Sequence, residues 1–293
     1  MSEQAPAGAI HDIGYRHYDG PRLGASYVRR SLFVDTARGA FGLGRSGRSK
    51  VVPFVLLAVM CGPAVVMGIV TGYFNLPTLP LGYTEYSFAL QVAVVIFLGS
   101  QAPVAVSRDL RFRVAPLYFS RPISREQYVQ AKYAGLATAL FLLLALPVLL
   151  LFVGALLAEL PLDDQLGGLA RGLAGSAVLA LVLAGIGLVI AALTPRRGLG
   201  VAAVVGVLLV SAGVQGIVRG LAEEFGNDTL AGYAGLLNPF TLVDGVVAGP
   251  FGGDSVLGTP PTGPAMGAVF AMTAAAVVMA SYGILLLRFR RSL

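Results

Sequence analysis

The sequence predicts an all-α integral membrane protein with six transmembrane helices and both termini in the cytoplasm. Three observations predict it. Of 293 residues, 56% are hydrophobic and 12% charged, with mean hydropathy +0.78, whereas a soluble domain is about 45–50% apolar and about 25% charged. Six stretches reach the roughly 20 apolar residues needed to cross a hydrocarbon core. The basic residues are segregated to one side of those stretches, as the positive-inside rule requires.

The six spans fall at 51–70, 88–106, 134–157, 173–193, 198–217 and 265–287. Between the fourth and fifth stands only Thr194-Pro195-Arg196-Arg197, a tight turn whose Pro ends one helix and whose Arg pair resists translocation. Nineteen of the twenty-one Lys and Arg residues then share one side with six carboxylates. The other two, Arg171 and Arg219, lie opposite with nine carboxylates. That asymmetry orients the chain. It divides into a cytoplasmic N-terminal segment (1–50), a six-helix membrane domain (51–287) and a short cytoplasmic C-terminus (288–293).

Several chemistries are disfavoured by what the chain lacks. Cys61 is the only cysteine and the two histidines, His11 and His17, lie in the polar N-terminal segment, so neither a disulfide nor a Cys/His metal cluster can form within the chain. The span interiors hold no Asp, Glu, Lys, Arg or His, the groups that ion-coupled carriers and membrane-embedded enzymes place at membrane depth. Net charge of +6 therefore reports membrane orientation rather than nucleic-acid binding. The run GLGRSGRS at 42–49 has Arg48 where a phosphate-binding loop needs Lys, and it leads straight into a span. Asn227-Asp228-Thr229 matches a glycosylation acceptor only incidentally. Gly68 with Gly72, and Gly216 with Gly220, have the G-x-x-x-G spacing that permits close helix approach.

The segment between spans two and three is the most informative. Ser107 is placed to cap a short helix with Asp109 in its first turn, and Leu110, Val114 and Leu117 recur on one face between Arg108, Arg111 and Arg113. Pro116 and Pro122 interrupt it. Ser124 and Gln127 then form a capping box, with Glu126 in the first turn of a helix running into span three. The residues alone leave two readings open: a solvated basic loop near anionic headgroups, or an apolar ridge rimmed by Arg that docks a protein.

This stretch, SRDLRFRVAPLYFSRPISREQYVQAKY at 107–133, resembles the segment after the second span in permease subunits of ABC type-2 exporters. Asp109, the SRPISR run at 120–125, Tyr128 and Lys132 fill the places of the family pattern, although many members carry Glu where Asp109 stands. The resemblance implies a cytoplasmic coupling helix seated in a separate ATPase subunit, with Asp109, Leu110, Arg111, Arg113, Val114, Leu117, Arg121, Pro122 and Arg125 as the docking residues. It also implies two ATPase copies that hold ATP and Mg, no cofactor in this chain, and a second permease copy or close paralogue.

Two other segments agree with it. Residues 26–41 mix Tyr27, Leu32, Phe33 and Phe41 with Arg29, Arg30 and Arg38, suiting an interfacial elbow helix; residues before Gly24 read as disordered. The outer segment 219–264 turns apolar at 236–253, too short to cross, which suits a re-entrant element before the last span. The resemblance makes Asn238, Pro239 and Phe240 part of an outer gate. The expected function is a non-catalytic permease of an ATP-driven exporter in the plasma membrane, contacting lipid and moving an apolar or amphipathic substrate. The alternatives are a scaffold or channel without ATP coupling, or a membrane-embedded enzyme.

Overall fold

The computed structural model describes residues 20, 23–111, 118, 123–194, 196–253, 255–256 and 264–291. Among these there is no strand, and six helical stretches are long and apolar enough to cross a membrane. In chain order the helices are α1 (Ala25–Ala40), α2 (Arg48–Tyr73), α3 (Tyr83–Ala89), α4 (Gln91–Ala105), α5 (Ser107–Arg111) and α6 (Arg125–Leu157). They continue as α7 (Leu162–Leu193), α8 (Arg197–Glu224), α9 (Asp228–Tyr233), a 3-10 turn (Ala234–Leu237), α10 (Pro239–Ala248) and α11 (Pro264–Arg291). The spans are α2, α4 with α5, α6, α7, α8 and α11.

All six predicted spans are present, and the differences lie at their ends. The third starts at Arg125 rather than residue 134, because the Ser124 hydroxyl accepts from the Gln127 amide while the Gln127 side chain accepts from the Ser124 amide, as the capping box predicts. The fourth starts at Leu162 rather than residue 173, with Asp163 and Asp164 in its first turn, where carboxylates oppose the helix dipole. Phe88 falls on α3, not on the second span, since the chain breaks at Leu90. Ser107 is the first residue of α5 rather than its cap; its hydroxyl instead donates 2.8 Å to the carbonyl of Ala191. The GLGRSGRS run is a turn between α1 and the start of α2, with a helix where a phosphate loop requires a strand.

Helices α6 and α7 carry the centre of the bundle, contributing fully buried Leu136, Leu140, Leu143 and Leu144 and Val182 and Leu183. α4 adds Phe97 and Leu98. Tyr86 on α3 donates its hydroxyl to the carbonyl of Met60 on α2. Lipid-soluble helices gain nothing from hiding Leu from hydrocarbon, so close backbone approach must supply the packing. Gly68 of α2 meets Gly154 of α6 so closely that a Cβ on Gly154 would lie 2.7 Å from the Cα of Gly68, and Gly72 faces Ala158 a turn further on. The first G-x-x-x-G pair thus serves a crossing within the chain. Gly216 and Gly220 on α8 have no neighbour within 4 Å of the Cβ position.

Gly154→Leu is expected to force α2 and α6 apart and cost about 1–3 kcal/mol, read as a lowered thermal unfolding midpoint in detergent. Gly62→Leu, built into open space on α2, is expected to stay within about 1 kcal/mol of the parent.

Candidate functional site

Two places gather polar side chains, one at each end of the bundle. At the basic end, α5 hangs from α4 beside the first turns of α6. One oxygen of Asp109 accepts from the Tyr128 hydroxyl at 2.6 Å and lies 2.9 Å from the Lys132 ammonium. Tyr128 and Lys132 stand four residues apart, so α6 presents both on one face, and the ammonium lies 5.6 Å from the Tyr128 ring centroid. Both charged side chains are largely buried, at 8% and 15% exposure for Lys132 and Asp109. A buried charge is tolerated when it is paired and hydrogen-bonded, and here each partner satisfies the other.

The junction reaches α7 and α11 as well. The fully buried Tyr128 ring packs 5.1 Å from Phe289 of α11 and 5.5 Å from Tyr118. The last turn of α7 leaves carbonyls without helical partners; Ser107 donates to that of Ala191 and Arg288 to that of Ala192, at 2.8 and 3.4 Å. Arg290 of α11 lies 3.7 Å from Glu126 of α6 at the exposed rim. Four separate stretches of chain are therefore fastened at one level.

Of the residues assigned to docking from the sequence, Asp109 turns its carboxylate into this junction and Leu110 packs half-buried against the core. Arg111 and Arg125 are exposed. Arg113, Val114, Leu117, Arg121 and Pro122 lie outside the described residues. Ser107, Arg288 and Phe289 were not singled out as functional, and only the bundle reveals them, because their partners are 84, 96 and 161 positions away.

At the acidic end, α10 is buried along most of its length. Asn238 caps it, its side-chain oxygen accepting from the Phe240 amide at 3.1 Å, and Pro239 occupies the first turn, where no amide is needed. The Thr241 hydroxyl donates 2.7 Å to the carbonyl of Gly235, tying α10 to the preceding turn. Gly245 lies under the Phe270 ring, and Gly249 faces Gly267, so α10 and the start of α11 touch backbone to backbone. Phe240 packs into the core. Asn238, Pro239 and Phe240 are thus brought together as one turn-and-helix unit against α7 and α11.

Asp244 of α10 accepts from the Ser255 hydroxyl at 2.8 Å and the Val256 amide at 3.1 Å, pinning the chain that leaves α10. Its carboxylate borders a cavity of about 30 Å³ that also touches Thr84, Ser87 and Ser176. The buried Ser176 hydroxyl has no partner among the described residues, and a polar space of this size admits water. Burial pushes the Asp244 carboxyl above its ordinary value, against the opposing pull of its hydrogen bonds to Val256 and Ser255.

Asp109→Asn is expected to strand the Lys132 ammonium and cost about 3–5 kcal/mol. The double change Asp109→Asn with Lys132→Met leaves no bare charge and is expected to be milder than Asp109→Asn alone, as read by chemical or thermal unfolding in detergent. For Asp244, the raised folded value means that its favourable contribution is complete below the unfolded carboxylate range and is lost as pH rises through the folded value. Asp244→Asn, which keeps an acceptor for Val256, is therefore expected to match or exceed the parent's midpoint at neutral pH. The gap should close as pH falls towards 4.

A family model described as an ABC-2 family transporter protein matches residues 114–292, from the segment below α5 through α11. No curated protein matches the chain. The matched region holds α6 to α11, and with them Tyr128, Lys132 and Phe289 of the junction and all of α10. The six-span helical bundle and this match together place the chain in the ABC-2 family of transporter proteins, as a multi-pass membrane permease component of an ABC transporter.

Proposed function

We propose that this permease is the membrane-embedded subunit of an ATP-driven exporter, lying in the plasma membrane with both termini cytoplasmic. Its family implies pairing with an ABC ATPase subunit. Two such subunits, holding the ATP and Mg, dock on the segment at 107–125. One observation carries this reading: the Asp109 carboxylate is shared by Tyr128 and Lys132, so that α5 cannot move without moving α6. Closure of the ATPases on nucleotide displaces the docked segment, and the rigid run of α6 from its Ser124 cap passes the displacement into the membrane. Tyr128 against Phe289 carries part of it to α11. The two arrangements form a two-state element biased by nucleotide.

The opposite end supplies the outward closure. α10 is too short to cross a bilayer yet is buried against α7 and α11, which supports a re-entrant element held by protein on most sides. Movement of α11 at its Phe289 end would be felt at Phe270 and Gly267, where α10 rests. Pairing of two permeases, identical or closely related, is supported by α8, whose Gly213, Gly216 and Gly220 and exposed Val210, Val214 and Ile217 have no partner helix among the described residues. The span interiors away from the basic end carry no charge, which suits an apolar or amphipathic substrate moving outward.

Leu117→Glu and Arg121→Glu are each expected to leave the permease inserted and folded while reducing transport by about tenfold or more and uncoupling it from ATP hydrolysis. Purified parent protein is expected to bring down a soluble subunit with a phosphate-binding loop, and the variants to lose it. Wild-type transport by both variants would overturn the docking assignment.

A further inference from the structure

The basic end carries a second cleft that the junction does not use. α1 and α6 touch where Thr36 packs on Gly135, so closely that a Cβ on Gly135 would lie 2.7 Å from that of Thr36. Towards their N-terminal ends the two helices leave a cleft of about 540 Å³. Its walls are chemically divided. Phe33 of α1 and Ala131 and Ala134 of α6 make an apolar floor, while Arg29 and Arg30 of α1 and Gln130 of α6 stand at the edge.

The two guanidiniums are exposed and form no ion pair among the described residues. The nearby carboxylates are engaged elsewhere or turned away: Glu126, a turn before Gln130, lies 3.7 Å from Arg290, and Asp35 borders a separate crevice beside Arg45. Adjacent Arg side chains suit a phosphate, which accepts several charge-assisted hydrogen bonds. A free phosphate would have no use for a floor of Phe33 and Ala134, and an uncharged apolar molecule none for the arginines. The level of the cleft decides between them. α6 carries its charged and amide side chains between Arg125 and Tyr133 and from Ala134 is apolar for several turns apart from Thr138, so the cleft straddles the boundary between headgroup and hydrocarbon.

We infer that the cleft between α1 and α6 is a binding site for one anionic phospholipid, its phosphate on Arg29 and Arg30 and an acyl chain along Phe33 and Ala134. The occupant wedges α1 against the same helix that carries Tyr128 and Lys132. This site stands whether or not the segment at 107–125 docks an ATPase, because none of its residues belongs to that segment.

The full chain in phosphatidylcholine nanodiscs, doped with a phosphatidylglycerol that carries a photoactivatable acyl chain, tests it. Peptide mapping is expected to find adducts around Phe33 and Ala134, on the order of tenfold above a phosphatidylcholine probe of the same chain. Arg29→Gln with Arg30→Gln is expected to erase that headgroup preference. Ala134→Trp, which fills the floor without changing charge, is expected to reduce labelling by both probes, with gel filtration checking that each variant remains folded. Inorganic phosphate in excess is expected to leave the adducts in place; displacement by it would make the cleft a soluble-anion site and overturn the inference. Equal labelling by the two lipids, or labelling unchanged in the Arg29 and Arg30 variant, would overturn it as well.

Discussion

The carboxylate of Asp109 fixes α5 against α6, and the neighbouring helix ends are built around that pair. It sits where the chain leaves the membrane-crossing run, and it has two donors on α6, the Tyr128 hydroxyl and the Lys132 ammonium. An ion pair this buried contributes little net stability, since desolvation of both partners offsets most of their attraction. What it supplies is geometry. Sliding α5 along α6 by a turn would strand a charge on each side, so the low-energy register of the two helices is a single one. Packing of Tyr128 on Phe289 extends that register to α11, and the Ser107 and Arg288 bonds extend it to α7.

Away from this junction the bundle is held by shape. The spans have few polar groups with which to recognise each other, so small residues decide which faces meet. Gly68 against Gly154 and Gly249 against Gly267 bring backbones into contact, and bulk at either place would displace a helix rather than a side chain. The contrast with α8 is informative. Its buried stripe through Val204, Leu208, Gln215 and Ala222 is narrow, and the remaining face is left to its surroundings. A helix of this kind is held less firmly by its own chain than α6 or α7, in keeping with the pairing of two permeases proposed above.

The fold was largely legible in the sequence because membrane spans announce themselves by length and hydropathy alone. Pro195 with its Arg pair, and the Ser124 capping box, are local signals, and the chain obeys the second where the structure describes it. The fourth span begins at residue 173 in the sequence because Arg171 interrupts the apolar run, yet the helix continues back to Leu162, where Asp163 and Asp164 stabilise its N-terminus. A serine ahead of an acidic residue fits a cap, but the helix begins one residue earlier: the Val106 carbonyl accepts from the Asp109 and Leu110 amides, and the Ser107 hydroxyl is left to donate to Ala191. Asp109, Tyr128 and Lys132 were visible as a pattern, yet nothing in one dimension distinguishes a carboxylate aimed at a partner protein from one aimed at the next helix. Asp244 and Ser176 had no local signal, since their shared cavity exists only once α3, α7 and α10 are packed.

The remaining question of design is how two polar sites at opposite ends of an apolar bundle could act together. Two elements, α7 and α11, reach both. Near the start of α7, Gln165 accepts from Tyr83 of α3 at 2.7 Å, and Gly175 lies against Val247 of α10. At its end, the carbonyls of Ala191 and Ala192 receive Ser107 and Arg288. Its 32 residues run uninterrupted and contain no proline, and it is fastened at both ends, so it is anchored more by its contacts than by its own composition. α6, by contrast, holds Pro147 beyond its middle, which removes a hydrogen bond and permits a local change of direction. On the proposed reading, α7 is then the fixed post. α6 receives the displacement from Asp109 and yields near Pro147, and α11 carries the motion past α7 to α10. On that reading the direction of the displacement follows from which helix yields, and in α6 the place for it is Pro147.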